Sequence, residues 1–331
     1  MKAASIESTG PPDVIRYGDL PDAEPRDGEV RVKVAAVAVN PIDTYIRSGS
    51  APMALPKPFI VGCDLAGVVD KLGPGAHRFK VGDRVWGSNQ GLLGRQGTFA
   101  EYCCPHEDFL YPTPAAVKDE DVVAVALVGI TAHLGLFLCA KLQAGETVFV
   151  NGGTGGVGSM VVQMAKAVGA KSITTAGTDE KVKQAQALGA DLAINYKTED
   201  VVAKVKEFTG GKGVHVWYES LREPDFDRIV DAVMPRGRIV VMAGRQARPP
   251  FPNGLFYIKC LSLFGFAIFN IPATEQRLCA EDINRWLVEK KFRPNIGRRM
   301  KLSETAAAHR LQEENTLKGA GTLSGKIVLT P

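Results

Sequence analysis

The sequence predicts an α/β protein in which a β-rich domain is interrupted by an inserted, doubly wound parallel sheet. Up to about residue 123, short alternating apolar runs are broken by Gly and Pro, a pattern typical of a compact, barrel-like β domain. From about residue 124, apolar strands alternate with helical segments, which indicates a parallel sheet covered on both faces. We therefore assign residues 1–123 and 269–331 to the β-rich domain and residues 124–268 to the inserted domain.

The elements of both domains follow from local periodicity. Apolar residues alternate in the first domain and recur at helical spacing between the strands of the second, as they do over residues 157–168. Gly189 provides a left-handed cap for a helix over Asp179–Leu188. A helix around residues 281–289 leads back into the first domain. The predicted strands are 30–39, 60–69, 83–86 and 98–103 in the first domain, and 147–151, 172–175, 192–194, 214–218, 238–242 and 260–269 in the second.

Charge, hydropathy and cysteine content narrow the class of protein. The formal net charge of +4 is small for this length and forms no basic cluster, so we expect no nucleic-acid partner. No leader-like segment is present, and the most apolar stretch, 122–140, contains His133 and small or polar residues; we expect no membrane association and a cytoplasmic location. The six cysteines form no C-x-x-C pair, which indicates free thiols.

A glycine-rich segment has the pattern of a dinucleotide-binding loop. It follows a predicted strand and opens a helix, with G-x-G-x-x-G formed by three of its glycines. These glycines allow a tight turn, close approach of a pyrophosphate and close packing of helix on strand, while the helix N-terminus attracts the anion. The predicted cofactor-binding residues of the loop are Gly153, Thr154, Gly155, Gly156, Val157 and Gly158.

The end of the next strand indicates which nicotinamide cofactor is bound. Sites that prefer NAD usually place a carboxylate there, on the ribose 2′-hydroxyl. Here residues 173–178, which include Gly177, carry no carboxylate, and Asp179 comes only at the helix start. The uncharged strand end leaves room for a 2′-phosphate, and Lys181 can supply a positive charge. We therefore expect NADPH as the cofactor.

Several segments together resemble a known family over nearly the whole chain. The chain is similar to the zinc-free quinone oxidoreductases, the zeta-crystallin-like branch of the medium-chain dehydrogenase/reductase superfamily. The resemblance implies a GroES-like β-rich domain with an inserted Rossmann domain. It also implies an NADPH-dependent reductase that transfers hydride to a quinone or electron-poor enone. The matching segments are 40–49 (N-P-I-D-T-Y-I-R-S-G), 62–69, 81–85, 97–102, the glycine loop and 324–328.

The same comparison implies that the metal is missing. Zinc-dependent relatives have a ligand Cys at the position of Asn40, and Gly-His-Glu where this chain has Gly62, Cys63 and Asp64. A catalytic zinc site needs three protein ligands, and no third partner for Cys63 and Asp64 is evident. We therefore expect no metal site. Without a Lewis acid, hydride addition to an already electron-poor acceptor is favoured over alcohol oxidation.

The resemblance also assigns roles to individual residues. Asn40 and Tyr45, in the segment that lies beside the nicotinamide in related reductases, are the candidate catalytic residues, able to hydrogen-bond an oxygen on which charge develops. Glu219 and Arg245 depart from the family pattern. Further cofactor contacts are implied for Thr131, Tyr196, Ser220, Gly244 and Phe266.

Two other functions and an oligomeric state are compatible with the sequence. The first alternative is a reductase of activated C=C bonds in acyl or halogenated acids, for which Arg245 could attract the anion. The second is an NADPH-binding structural or RNA-binding protein of zeta-crystallin type, against which the dispersed charge argues. By analogy with the family, the strand in residues 260–269 is expected to pair with its twofold mate in a homodimer.

Overall fold

The computed structural model describes residues 1–331, which divide into two compact units. Unit 1 consists of Met1–Leu127, Pro272–Val288 and Arg293–Pro331, and unit 2 of Val128–Ile271 and Glu289–Phe292. The predicted fold class is confirmed, since a β-rich unit is interrupted in the chain by an α/β unit with a parallel sheet.

The chain forms sixteen strands and nine α-helices. The strands are β1 (Lys2–Ile6), β2 (Arg16–Asp19), β3 (Val30–Val39), β4 (Phe59–Ile60), β5 (Leu65–Leu72), β6 (Arg84–Gly87), β7 (Tyr102–Cys103), β8 (Leu110–Pro112), β9 (Thr147–Val150), β10 (Lys171–Ala176), β11 (Leu192–Asn195), β12 (Val214–Glu219), β13 (Val233–Val241), β14 (Ser262–Gly265), β15 (Ile296–Lys301) and β16 (Lys326–Thr330). The helices are α1 (Pro41–Ser48), α2 (Asp119–His133, continued by a π-helical turn, Leu134–Cys139), α3 (Gly156–Ala167), α4 (Asp179–Leu188), α5 (Val201–Phe208), α6 (Phe226–Ala232), α7 (Asn253–Ile258), α8 (Ala273–Val288) and α9 (Thr305–Thr316).

Unit 1 is built on a seven-stranded sheet with the order β15-β16-β3-β5-β6-β8, in which β7 also pairs with β3, and on a three-stranded sheet β2-β1-β4. β3, β5 and β6 are successive antiparallel neighbours. The end of β3, the start of β5 and the end of β6 therefore meet at one edge of the sheet. This edge receives Asn40, Asp64 and Ser88, each the residue next to one of those strand ends.

Unit 2 contains a six-stranded parallel sheet with the order β11-β10-β9-β12-β13-β14. Numbered within the unit this is 3-2-1-4-5-6, the doubly wound arrangement whose ligands bind at the carboxyl ends of the strands, where the order reverses. Buried side chains from both faces stabilise it; Phe149 and Trp217, for example, stack with ring centroids 3.8 Å apart. The reversal lies at β9, which leads directly into the glycine loop.

Several strands differ from their predicted bounds, and two of the differences have identifiable reasons. The predicted strand 60–69 is divided into β4 and β5, because Gly62 has φ +100° and the Phe99 ring occupies the space of any Cβ there, 2.0 Å away. The apolar run 261–269 forms only the short strand β14, followed by a 3₁₀ turn at Ile268–Asn270. Both differences come from tertiary contacts or local turns that apolar periodicity does not encode.

The helix Asp119–Cys139 is long and apolar enough, by length and composition, to cross a membrane. The expectation that no segment meets this test is therefore wrong. However, 83% of its most apolar window is buried inside the protein, and core helices of soluble proteins pass the same test. The apolar character of this helix is accounted for by packing.

Helix α9 carries a buried histidine that predicts how stability depends on pH. His309 is fully buried, neither ring nitrogen has a hydrogen-bond partner, and burial together with nearby Arg47 lowers its pKa to about 3. Below about pH 6.5, His309 is protonated in the unfolded chain but stays neutral in the folded chain. The free energy of unfolding therefore decreases as the pH falls through this range. Lowering the pH from 7.5 to 5 should reduce the free energy of unfolding by about 2 kcal/mol through His309 alone.

Urea unfolding of wild type and His309→Phe at these two pH values measures the effect. We expect the variant to lose about 2 kcal/mol less than wild type on acidification. An unchanged pH dependence in His309→Phe would contradict the assignment.

Candidate functional site

The glycine loop connects β9 to α3 and is held against β10. The backbone N–H of Gly152 donates to Thr175 Oγ1 and that of Gly153 to the Thr175 carbonyl, both at 3.0 Å. A Cβ on Gly158 would lie 2.2 Å from the Gly152 carbonyl oxygen, and one on Gly153 would lie 2.5 Å from the Thr174 side chain. Only glycine therefore fits at these two positions.

The first turn of α3 presents its backbone donors without a side-chain cap. Gly155 is the N-cap residue and has no side chain to accept a bond from this turn, and Gly156 begins the helix. The first N–H groups of a helix lack intrahelical partners and carry the positive end of the helix dipole. Bare glycines ahead of such donors form a cradle that fits a pyrophosphate.

A buried carboxylate anchors the start of the loop, which sequence reasoning had noted only as a departure. Glu219, at the end of β12, accepts from Asn151 Nδ2 at 3.0 Å, Trp217 Nε1 at 3.0 Å and the Leu221 N–H at 2.6 Å. Burial raises the pKa of Glu219, while these donors favour its charged form. Ser220 Oγ lies 3.4 Å from the Asn151 carbonyl, so it also adjoins the loop. Glu219 thus joins the ends of β9 and β12.

Other predicted contacts for the cofactor gather at the same edge of the sheet. Each comes shortly after a strand: Gly177 after β10, Tyr196 after β11, Ser220 after β12, Gly244 after β13 and Phe266 after β14. Because all six strands are parallel, their carboxyl ends lie on one edge, together with the loop. Gly244 has φ +82°, and the Phe266 N–H lies 3.4 Å from the Val241 carbonyl.

The residues expected around a 2′-phosphate lie together. A Cβ on Gly177 would come within 2.8 Å of the Tyr196 hydroxyl, so the half-exposed Tyr196 ring lies against Gly177. Thr178 caps α4 by accepting from the Lys181 N–H at 3.2 Å. Partial burial lowers the pKa of Lys181, the Glu180 carboxylate opposes this shift, and the nearby Lys197 adds to it. Lys197 was missed from the sequence, although its position directly after Tyr196 at a strand end was a usable signal.

Two carboxylates, Asp179 and Glu180, stand at the start of α4 beside this group. Asp179 accepts a 2.6 Å hydrogen bond from Asn195 Nδ2, and the Glu180 charge acts on Lys181. The strand end itself, from Thr175 to Gly177, carries no acid. The arrangement provides two ammonium groups beside a strand end that has no carboxylate.

Thr131, on α2, is fixed by a residue from the neighbouring sheet. The Tyr218 hydroxyl donates to the Thr131 carbonyl at 2.8 Å, and Gly135 has no Cβ where the Tyr218 ring lies 2.3 Å away. Thr131 is 3% exposed, and its own hydroxyl has no partner in the protein. The α-helix gives way to the π-helical turn just beyond, a feature that often marks functional sites. The Thr131 hydroxyl is thus a buried polar group that a bound ligand could satisfy.

In unit 1, Asn40 is the centre of a buried polar cluster. Asn40 is completely buried; its Nδ2 donates to Asp64 Oδ2 at 2.8 Å and to the Ala38 carbonyl at 3.2 Å. Its Oδ1 accepts from the Lys326 ammonium, which also donates to the Val39 carbonyl at 2.6 Å. Both amide hydrogens of Asn40 are therefore committed. A direct hydrogen bond from Asn40 to an acceptor requires the release of one of them.

The other members of the cluster have perturbed pKa values. Burial raises the pKa of Asp43 to about 7 and raises those of Cys63 and Asp64. Burial lowers the pKa of Lys326, although the surrounding carboxylates favour its charged form. Asp64 also accepts from Ser88 Oγ at 2.6 Å. Lys326 lies in the matching segment 324–328, but the sequence does not indicate its role because its partners are distant in the chain.

Tyr45 lies one turn into α1, whose first residue follows Asn40. The backbone of Asn40 donates to Asp43 Oδ2 at 2.8 Å, and Gly49, with φ +82°, ends the helix. Tyr45 is half-buried, whereas Thr44 and Ile46 beside it are buried. Its phenol thus belongs to the partly accessible face of the helix.

No group of three or more His, Cys, Asp or Glu side chains in the chain is arranged to hold a metal ion. Where zinc-dependent relatives have three ligands, this chain has an amide, a thiol of raised pKa and a carboxylate bound to Asn40 and Ser88. The cation near this position is the Lys326 ammonium.

Comparison with known proteins gives consistent matches to both units. Residues 26–115 match the family described as alcohol dehydrogenase GroES-like domain, and residues 156–282 match the zinc-binding dehydrogenase family. A quinone oxidoreductase of Pseudomonas aeruginosa is 33% identical, with 100% of this chain and 99% of that protein covered. The human quinone oxidoreductase is 31% identical, with 99% and 97% covered.

Solved structures agree over the whole chain. An Escherichia coli quinone oxidoreductase complexed with NADPH aligns with a TM-score of 0.88 at 28% identity, covering 100% of both chains. A structure described as an NAD-dependent alcohol dehydrogenase aligns at 0.89 and 32% identity, covering 100% of both. A 2-haloacrylate reductase aligns at 0.85 and 29%, covering 100% of this chain and 99% of that one. The chain belongs to the quinone oxidoreductase family of the medium-chain dehydrogenase/reductase superfamily.

Proposed function

We propose that this protein is an NADPH-dependent oxidoreductase that transfers hydride to a quinone or an electron-poor enone without zinc. The observation that carries the proposal is the carboxyl edge of the unit 2 sheet. There, the glycine cradle, the lysine pair and the orphaned Thr131 hydroxyl supply the contacts that a phosphorylated dinucleotide needs.

Residues of unit 2 would hold NADPH at distinct points. The N–H groups at Gly156 to Gly158 bind the pyrophosphate, and Lys181, Lys197 and Tyr196 surround the 2′-phosphate. Thr131, Ser220, Gly244 and Phe266 lie toward the nicotinamide side. NADPH, when bound, supplies the hydride, and the protein supplies orientation.

Residues of unit 1 would bind the electron acceptor. Tyr45, on the partly accessible face of α1, donates a hydrogen bond to the acceptor oxygen as negative charge develops there. Asn40, held from both sides by Asp64 and Lys326, fixes the start of α1 and can contribute a second donor if the Ala38 bond opens. The Asp43, Cys63 and Asp64 side chains around Asn40 are not arranged to hold a metal ion together, which supports chemistry that does not depend on zinc.

Lys181 should determine the choice between NADPH and NADH. Replacing it with Ala removes one of two ammonium groups facing the 2′-phosphate, so we expect the NADPH/NADH ratio of kcat/KM to fall by about tenfold, since a charge-assisted contact contributes roughly 1.5–3 kcal/mol. Lys183→Ala, two residues on at an exposed position of the same helix, is the matched control. Initial rates with both nucleotides measure the ratio.

The proposal as a whole is tested by NADPH oxidation across a panel of quinones, enones and haloacrylates, with NADH as control. Turnover of quinones or enones with NADPH is expected. If no acceptor is reduced and RNA is bound in a salt-dependent manner, the structural or RNA-binding alternative applies instead.

We further propose that the protein is a homodimer that acts on small molecules in the cytoplasm, with neither nucleic acid nor membrane as partner. The edge strand β14 leaves Leu263 40% exposed, and Tyr257 and Ile258 on the preceding helix are 64% and 66% exposed. Pairing of this edge with a second copy covers these apolar side chains and the open strand edge. Sedimentation at micromolar concentration should give a dimer, and a monomer would contradict this arrangement.

A further inference from the structure

The segment that follows β6 contains a guanidinium and an amide without the partners that such groups normally have. Asn89 is 1% exposed, and neither its Nδ2 nor its Oδ1 has a hydrogen-bond partner. Arg95 is partly buried and lies within salt-bridge distance of no carboxylate. Leaving a buried amide unpaired costs roughly 1–3 kcal/mol, and a buried charge without a counter-ion also costs free energy.

Arg95 is held in a fixed position. Its Nη2 and Nε donate to the Asn89 carbonyl at 2.7 and 3.2 Å, and its guanidinium lies 4.9 Å from the centre of the Phe109 ring. These contacts leave Nη1 without a protein acceptor. The guanidinium is therefore preorganised with donors available for an anion.

The pair lies at the same sheet edge as Asn40. Asn40 binds Asp64, and Asp64 binds Ser88, the residue before Asn89. The N–H of the next residue, Gln90, donates to the Cys63 carbonyl at 3.2 Å. A continuous run of hydrogen-bonded residues thus connects the proposed acceptor-binding residue Asn40 with Asn89 and Arg95.

We propose that Arg95 and Asn89 form a subsite for a carboxylate carried by the electron acceptor, so that the favoured substrates are electron-poor alkenes bearing an acid group. One guanidinium and one neutral amide match a single negative charge, whereas a phosphate usually requires more cationic groups. This inference rests on the proposed function, because it names the substrate class of the same site.

The reaction balances with the proposed cofactor. Hydride forms a C–H bond at one alkene carbon, the C=C π bond breaks, and the other carbon takes a proton from solvent. NADPH, a proton and 4-oxopent-2-enoate thereby give NADP⁺ and 4-oxopentanoate. Arg95 and Asn89 hold the carboxylate and take no part in bond making.

A matched pair of acceptors tests the subsite. For 4-oxopent-2-enoate and its methyl ester, the wild-type kcat/KM should favour the acid by about 10- to 100-fold, mainly through KM, as expected for a charge-assisted contact. Arg95→Gln should bring the acid/ester ratio close to one, and Arg95→Lys should retain part of it. Asn89→Asp, which keeps the side-chain size but adds a negative charge, should lower the ratio as well. The control Arg298→Gln, at an exposed arginine on β15, should keep the wild-type ratio.

A second measurement needs no variant and is independent of whether Arg95→Gln folds. Propanoate should inhibit wild-type reduction of the acid competitively with respect to the acceptor. A wild-type ratio near one, an unchanged ratio in Arg95→Gln or no competition by propanoate would overturn the subsite while leaving the reductase in place. If NADPH reduces neither the acid nor the ester, nor any quinone or enone, the proposed function is rejected instead.

Discussion

Gly158→Ala is expected to weaken NADPH binding by at least about 100-fold, because the N–H donors of the α3 N-terminus can no longer approach the pyrophosphate. The added methyl group would lie 2.2 Å from the Gly152 carbonyl oxygen, a backbone atom that cannot rotate away. The loop must therefore open or the helix must shift. Gly155→Ala, whose Cβ would lie 3.2 Å from the same oxygen, should have a smaller effect.

Calorimetric titration with NADPH measures the loss, and thermal unfolding without nucleotide separates it from general instability. Gly18→Ala is the control, since a Cβ there meets nothing within 4 Å. Equal NADPH affinity in Gly158→Ala and wild type would show that this loop does not hold the phosphates.

Lys326→Met should have the largest effect on stability. The ammonium is buried beside Asp64 and bound to Asn40 and Val39, so its removal leaves a buried carboxylate without its cation. Lys326 reaches Asp64 through the Asn40 amide and not by direct contact, so we expect a loss near the lower end of the roughly 3–5 kcal/mol that breaking a direct buried ion pair costs. Denaturant unfolding at pH 7.5 measures this loss.

The pH dependence of the same variant has a definite sign. Burial already raises the pKa of Asp64, and loss of Lys326 raises it further. A carboxyl group with a raised folded-state pKa binds protons more readily in the folded than in the unfolded chain, so the deficit should shrink as the pH falls toward about 5. Lys326→Met/Asp64→Asn should recover part of the stability. A deficit that is independent of pH, with no recovery in the double variant, would contradict a role for the Lys326 charge.

The parts of the site that depend on local chain geometry could be predicted from the sequence. A few neighbouring residues are enough to predict the glycine loop and the uncharged end of β10, because turns and strand ends have local sequence patterns. Tyr196 and Ser220 were placed through family resemblance, and the parallel sheet brings them to the same edge as Gly177.

The parts of the site that depend on contacts between distant residues could not be predicted from the sequence. Lys326 meets Asn40 across 286 residues, and its place in an apolar strand gave no indication of a buried ammonium. The committed amide hydrogens of Asn40 and the unpaired groups of Asn89 and His309 also follow from packing. Helix α7 was missed because it is short and follows prolines 249, 250 and 252.

The central claim is that NADPH bound at 152–158 delivers hydride to an electron-poor acceptor without a zinc ion. The most direct measurement is deuterium transfer to the carbon of an electron-poor enone from NADPH that carries deuterium at both C4 positions of the dihydronicotinamide, using protein treated with a chelator and checked for metal by elemental analysis. The account predicts one deuterium in the reduced acceptor at an undiminished rate and less than a tenth of a zinc per chain. A product without deuterium, or a rate that is lost with the chelator and restored by zinc, would contradict it.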